Sequence, residues 1–153
     1  MPDAPTGRTG HTFPTDEVLA RLAAIASSDD DAPVVMLNLN RYRDVASYGD
    51  ERDQEGLSGR AAYLRYGIVA KAAIEAGGGK ILWATDAGTP VIGCDHDAYD
   101  EVVAVWYPSH AAFLALTDHP GYVDALEHRD AAIEQAALIP CTGEAEARLG
   151  TPF

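Results

Sequence analysis

The chain has 153 residues (16.2 kDa), of which 47% are hydrophobic and 23% charged, with a formal net charge of −13 and a pI near 4.5. That length and balance suit one globular domain and exclude wholesale disorder, while the negative charge excludes nucleic acid and anionic membranes as partners, because no positive stripe is available to meet phosphates. Two cysteines, Cys94 and Cys141, make no disulfide framework in a chain this size, and no C-x-x-C or His/Cys ligand spacing predicts a metal site. The first ten residues, MPDAPTGRTG, carry no signal pattern, and no apolar run reaches membrane-spanning length, so a reducing cytoplasm is the expected location.

In chain order, residues 1–14 are rich in Pro, Gly and Thr and predict an irregular arm. Thr15 followed by two acids predicts a helix start, with Val18, Leu19, Leu22 and Ile25 as an apolar stripe that ends at Ser27. Residues 34–41 alternate as a strand, with Val35, Leu37, Leu39 and Arg41 on one face and Val34, Met36, Asn38 and Asn40 on the other. Asparagine is depleted in strands, so that second face predicts either a polar cavity wall or a fraying end. Residues 42–59 are polar and predict a long loop, either a lid or a disordered segment.

A helix is predicted over 60–76, with Tyr63 and Tyr66 on one side, stopped by three glycines at 77–79. Residues 80–86 predict a second strand, followed by a turn and a short extension at 91–94. Residues 99–116, YDEVVAVWYPSHAAFLAL, are the most informative stretch. A β-branched and aromatic run ends at Pro108, Ser109 caps a new helix, and His110 lies in its first turn. A further helix is predicted over 121–137 and a last strand over 138–142, leaving 143–153 as a tail.

The order β-α-β-β-α-β is that of an α+β, ferredoxin-like antiparallel sheet with its helices on one face. The uncovered face, taken to carry Met36, Asn38, Trp83 and Trp106, would leave a large apolar patch wet, so a homodimer with two sheets face to face is expected. The segments PVVMLNLNRYR (33–43), AYLRYG (62–67), GGGKILWATD (77–86), the 91–116 run, and Tyr122 and Arg129 before LIPCT together resemble the DUF1330 family of the dimeric α+β barrel superfamily. The domain so implied spans 33–142, preceded by an arm and helix at 1–32. His110 stands where such sequences commonly carry arginine, which weakens any anion-binding role there and substitutes a titratable group.

The resemblance implies a pocket between sheet and helices and a small-molecule ligand, and leaves the chemistry open. The candidate acid–base set is His110 as base, Asn38 and Tyr66 polarising an oxygen, and Arg41 placing an anionic group. Trp83, Trp106, Tyr63 and Met36 are the expected cavity walls. The expected activity is a cofactor-independent cyclase, isomerase, lyase or monooxygenase acting on an aromatic or polyketide-like substrate. The alternatives are a non-catalytic binding dimer and a haem- or metal-dependent member of the superfamily. For each residue a packing or solvated role is the competing explanation. Residues 81–153 carry only two Lys or Arg against twelve acids, so the arginines at 41, 43, 52, 60 and 65 are the expected place for an anionic ligand.

Overall fold

The computed structural model describes residues 11–142. Thr15 caps α1 (Asp16–Ala26) by accepting from the Val18 N–H, and the chain then enters β1 (Val34–Tyr42). A connection containing a 3₁₀ turn (Glu51–Glu55) leads to α2 (Gly59–Ala76), capped by Ser58. Strands β2 (Lys80–Asp86) and β3 (Glu101–Tyr107) follow. Then come α3 (His110–Leu114), a 3₁₀ turn (Ala115–Asp118), α4 (Tyr122–Ala132) and β4 (Ile133–Thr142).

The four strands form one antiparallel sheet in the order β2-β3-β1-β4. This is the ferredoxin-like arrangement. Val34 and Met36 of β1 and Val105 and Tyr107 of β3 pack with Ala70, Ala73 and Ile74 of α2, Leu116, and Tyr122 of α4. A second cluster joins Tyr42, Ala62, Ala131, Ala132 and Ile133 at the other end of the sheet. Helices therefore cover the face of β1 that carries the even-numbered residues.

That face corrects one expectation. Met36 and Asn38 point toward the helices, whereas Val35, Leu37 and Leu39 share the open face with Trp106, Ala104 and Val102 of β3 and with Ile139 of β4. Trp83 is on the same side, opposite Ala104 across a register shift.

Two boundaries also differ from the sequence reading. The last helix stops at Ala132 and β4 begins at Ile133, although residues 133–137 read as helix. Ile133 is fully buried and Ala136 and Ala137 pair with Asn40 and Leu39, so the sheet ladder overrides the helix propensity of Ala, Glu and Gln. Residues 91–94 form bends and not an extension, with Val91 and Ile92 almost wholly exposed.

The connection between β1 and α2 is tied down. The N–H groups of Arg43 and Ser47 donate to the Ala132 and Ala131 carbonyls, that of Ala46 to Leu57, and that of Gly59 to Arg43. Tyr48 Oη bonds His128 Nδ1 at 2.8 Å. Among the described residues no helix is long and apolar enough to cross a membrane. The predicted tail at 143–153 and residues 1–10 of the predicted arm lie outside the described residues.

Candidate functional site

A cavity of ≈ 540 Å³ lies between α1 and the helix-covered side of the sheet. Its roof is the lead-in at residues 11–15 together with Val18, Arg21, Leu22 and Ile25 of α1, and its floor is Ala136, Leu138 and Pro140 of β4 with Met36 of β1. Phe113 of α3 and Arg129 of α4 close the sides. No residue of α1 is buried. Its apolar stripe therefore faces the cavity in place of a packed core, which is how an amphipathic helix makes a wall.

Among the described residues the lining contains His11, Arg21 and Arg129 and no Asp or Glu, in a chain that has 24 acids. Arg129 donates through Nη1 to the Thr12 carbonyl, and its guanidinium lies 5.0 Å from the Phe13 ring centroid. Among the described residues no carboxylate pairs with it. A half-buried guanidinium with apolar walls and no counter-ion is the arrangement that recognises an anion.

Behind Arg129 runs a ladder of four tyrosines. Tyr42, Tyr63, Tyr66 and Tyr122 follow one another with centroid separations of 5.2, 5.3 and 6.0 Å, the first two pairs tilted and the last edge-on. Burial pushes the Tyr63 phenol up to about 12, and it raises Tyr42, Tyr66 and Tyr122 as well. All four are neutral hydrogen-bonding groups at neutral pH. Tyr42 donates to Glu101 Oε1 at 2.7 Å, and the Tyr66 and Tyr122 hydroxyls bond each other at 3.1 Å.

The residues singled out from sequence fall in three places. Met36 lines the cavity, and Tyr63 and Tyr66 stand in the ladder. Asn38 turns its amide back onto the Met36 and Val103 carbonyls, 3.2 Å each. Arg41 is on the open face, donating to the Ala98 and Asp95 carbonyls at 2.7 and 2.5 Å and so pinning the 3₁₀ turn Asp95–Asp97. Trp83 (48% exposed) and Trp106 are also on the open face, with Lys80 Nζ 5.8 Å from the Trp106 ring centroid.

His110 is held by Asp31. Asp31 Oδ1 accepts from the His110 backbone N–H at 2.7 Å and lies 2.9 Å from His110 Nδ1, and Oδ2 accepts from the Ala111 N–H at 3.2 Å. His110, Asn38, Tyr66 and Arg41 thus do not line one common cavity. The expected anion clamp on the 41–65 arginines is likewise redirected. Arg52, Arg60 and Arg65 pair with Asp50 and Glu127, with Asp86 and Glu101, and with Glu55.

Asp31 acts as a long-range cap for α3. Burial raises its carboxyl, but the hydrogen bonds from His110 and Ala111 outweigh that and leave it below the ordinary aspartate value. A lowered folded-state pKa means stabilisation that is present above about pH 4 and lost as pH falls below it. Asp31→Ala is expected to cost about 1–2 kcal/mol at pH 7. The difference from the parent in urea melts should shrink toward zero at pH 3; an undiminished difference there would mean the carboxylate is not what holds α3.

The sequence reading missed Arg129 and the α1 residues as site components. One signal for Arg129 was present, since it is one of only two basic residues in an acid-rich half of the chain. Among the described residues no group of three or more His, Cys, Asp or Glu is placed to hold a metal ion.

A family model described as "Domain of unknown function (DUF1330)" matches residues 56–140, more than half of the sequence. The chain belongs to this family. The match takes in the DUF1330 elements that carry Tyr63, Tyr66, His110, Tyr122 and Arg129, while Met36, Asn40 and α1 precede it. Two crystal structures are similar over nearly their whole length. One is of RPA0582, described as a protein of unknown function from Rhodopseudomonas palustris, with 36% identity over 89% of this chain and 98% of that one, and a TM-score of 0.76. The other, of methylated RPA0582 protein, has 37% identity over 89% and 96%, and a TM-score of 0.77. No functionally curated protein matches the chain.

Proposed function

We propose that this DUF1330 protein binds a small, mainly apolar molecule carrying one anionic group, with the apolar body under α1 and the anion on Arg129. The observation that carries this reading is the lining itself, which among the described residues has one half-buried arginine without a counter-ion, apolar walls from four elements and no acid. A charge taken out of water in such a place is costly unless a ligand of opposite sign meets it. The volume of ≈ 540 Å³ lies in the range of small-molecule sites. Octanoate is a suitable probe. Calorimetry should show binding to the parent protein, weakened about tenfold or more by Arg129→Gln and abolished by filling the floor with Leu138→Trp. Equal octanoate affinity in all three proteins would overturn the assignment.

A homodimer belongs to the same proposal. The open face presents Trp83 and Ile139, about half exposed, beside Val35, Leu37, Leu39 and Trp106. A second copy laid against it would remove this patch from water. Light scattering is expected to give twice the 16.2 kDa chain mass, with Ile139→Lys returning the monomer; a monomeric parent protein would remove the dimer from the reading.

An enzymatic reading is favoured by one observation, the Asp31–His110 pair. A carboxylate on Nδ1 fixes the imidazole orientation and leaves Nε2 for proton transfer, the arrangement that cofactor-independent acid–base catalysis on an aromatic or polyketide-like substrate needs. Turnover that disappears in His110→Ala while octanoate affinity persists would establish it; octanoate binding without turnover would leave the binding protein.

A further inference from the structure

The roof of the cavity is fastened differently from the rest of the fold. No residue of α1 is buried, and neither apolar cluster includes one. Val18, Leu22 and Ile25 line the cavity, so the stripe that would hold an amphipathic helix to a core here borders open space. Among the described residues no hydrogen bond or ion pair runs from residues 16–26 to another helix or strand.

Two polar clasps hold α1, one beyond each end. Before the helix, the Thr12 carbonyl accepts from Arg129 Nη1, and the Phe13 ring centroid lies 5.0 Å from the same guanidinium. After it, Asp31 accepts from the backbone N–H groups of His110 and Ala111 at 2.7 and 3.2 Å and lies 2.9 Å from His110 Nδ1. Both anchors belong to the helical layer, Arg129 to α4 and His110 to the first turn of α3. A segment with so few buried apolar contacts opens at lower free energy than the core it covers. A helix of 11 residues is marginal in water by itself, so α1 unravels once it lifts.

We propose that α1 is a lid on this cavity, that it opens while the sheet stays folded, and that an anion bound to Arg129 holds it shut. This rests on the anion-binding reading of the cavity and adds how the site is gated. Arg129 serves both roles. Its Nη1 is engaged by the Thr12 carbonyl, while its other N–H groups meet no acceptor among the described residues and remain for the anion. An anion there fixes the guanidinium in the position from which it grips the lead-in to α1. The apolar body of the ligand gives Val18, Leu22 and Ile25 a surface to pack on. A ligand that makes these contacts only in the closed form shifts the lid toward closure.

The test is hydrogen–deuterium exchange of the full chain at neutral pH, read by mass spectrometry on α1 and α2, with calorimetry to establish that octanoate is bound. Amides of α1 are expected to show at least about 100-fold less protection than those near Ala70, Ala73 and Ile74 of α2, which lie in the first apolar cluster. Octanoate at ten times its dissociation constant is expected to slow α1 exchange about tenfold. Asp31→Ala is expected to speed it about 5- to 30-fold.

Protection of α1 equal to that of α2 would overturn the lid and leave the anion-binding cavity as a fixed site. Fast α1 exchange that bound octanoate does not slow would overturn closure by the anion. Unchanged α1 exchange in Asp31→Ala would overturn the clasp on α3. A parent protein that binds no octanoate would overturn the cavity reading, and closure by an anion with it, while the α1 rates would still decide whether the lid opens.

Discussion

Gly59→Ala is expected to destabilise the protein by about 3 kcal/mol or more, the upper end of what overpacking costs. A Cβ built at Gly59 would lie 2.3 Å from the Arg43 carbonyl oxygen, 2.7 Å from that of Ala132 and 2.8 Å from the Arg43 nitrogen. All three are backbone atoms, so no side chain can swing aside. The same three residues hold the start of α2 against the ends of β1 and α4, through Gly59 N–H to Arg43 O at 3.0 Å and Arg43 N–H to Ala132 O at 2.8 Å. Opening that junction separates the second apolar cluster, in which Ala62 and Ala132 are fully buried. Gly67, on the same helix, supplies the control. Nothing lies within 4 Å of a Cβ there, and alanine in a helix interior is favoured over glycine by about 0.5–1 kcal/mol. Thermal melts should therefore move in opposite directions for the two substitutions, and a tolerated Gly59→Ala would mean the α2 junction can relax.

The junction also shows what the sequence could reveal. The sequence places the helix at 60–76 and leaves Gly59 in the preceding loop, because the need for glycine there depends on two backbone carbonyls that meet it only in three dimensions. The same limit explains the sheet-face error. Period-two alternation sorts Met36, Asn38 and Asn40 from Val35, Leu37 and Leu39, yet it does not say which set the helices cover. Strand β2 was legible to its ends because a triple glycine and a following Gly-Thr-Pro turn bracket it. Residues 133–137 were misread because their helix propensity is real and loses only to pairing with β1.

The candidate site was less legible than the fold. Tyr63 and Tyr66 announce themselves by their three-residue spacing, but Tyr42 and Tyr122, which extend them into a ladder, come from other elements. The weak stripe of α1 reads as ordinary packing, and only docking makes it a roof. His110 was prominent because it follows a strong strand–cap signal, and its partner Asp31 is distant in sequence.

The tyrosines lead to the second large effect, which is alkaline unfolding. Burial raises the phenols of Tyr42, Tyr63, Tyr66, Tyr107 and Tyr122. Each folded-state value lies above the unfolded value of about 10, so the stabilisation is complete below pH 10 and is lost as pH rises above it. For Tyr63, moved to about 12, the loss by pH 12 is about 2 kcal/mol, and the other four add to it with the same sign. For a domain of this size that is a large part of its total stability. The five phenols are therefore expected to stay silent in a tyrosinate absorbance titration until the circular dichroism of the helices collapses, and then to ionise together. Tyr63→Phe should shift the collapse to higher pH by removing one of the groups that drives it. Reversible ionisation of these phenols near pH 10.5 with the helices intact would mean the ladder is open to water.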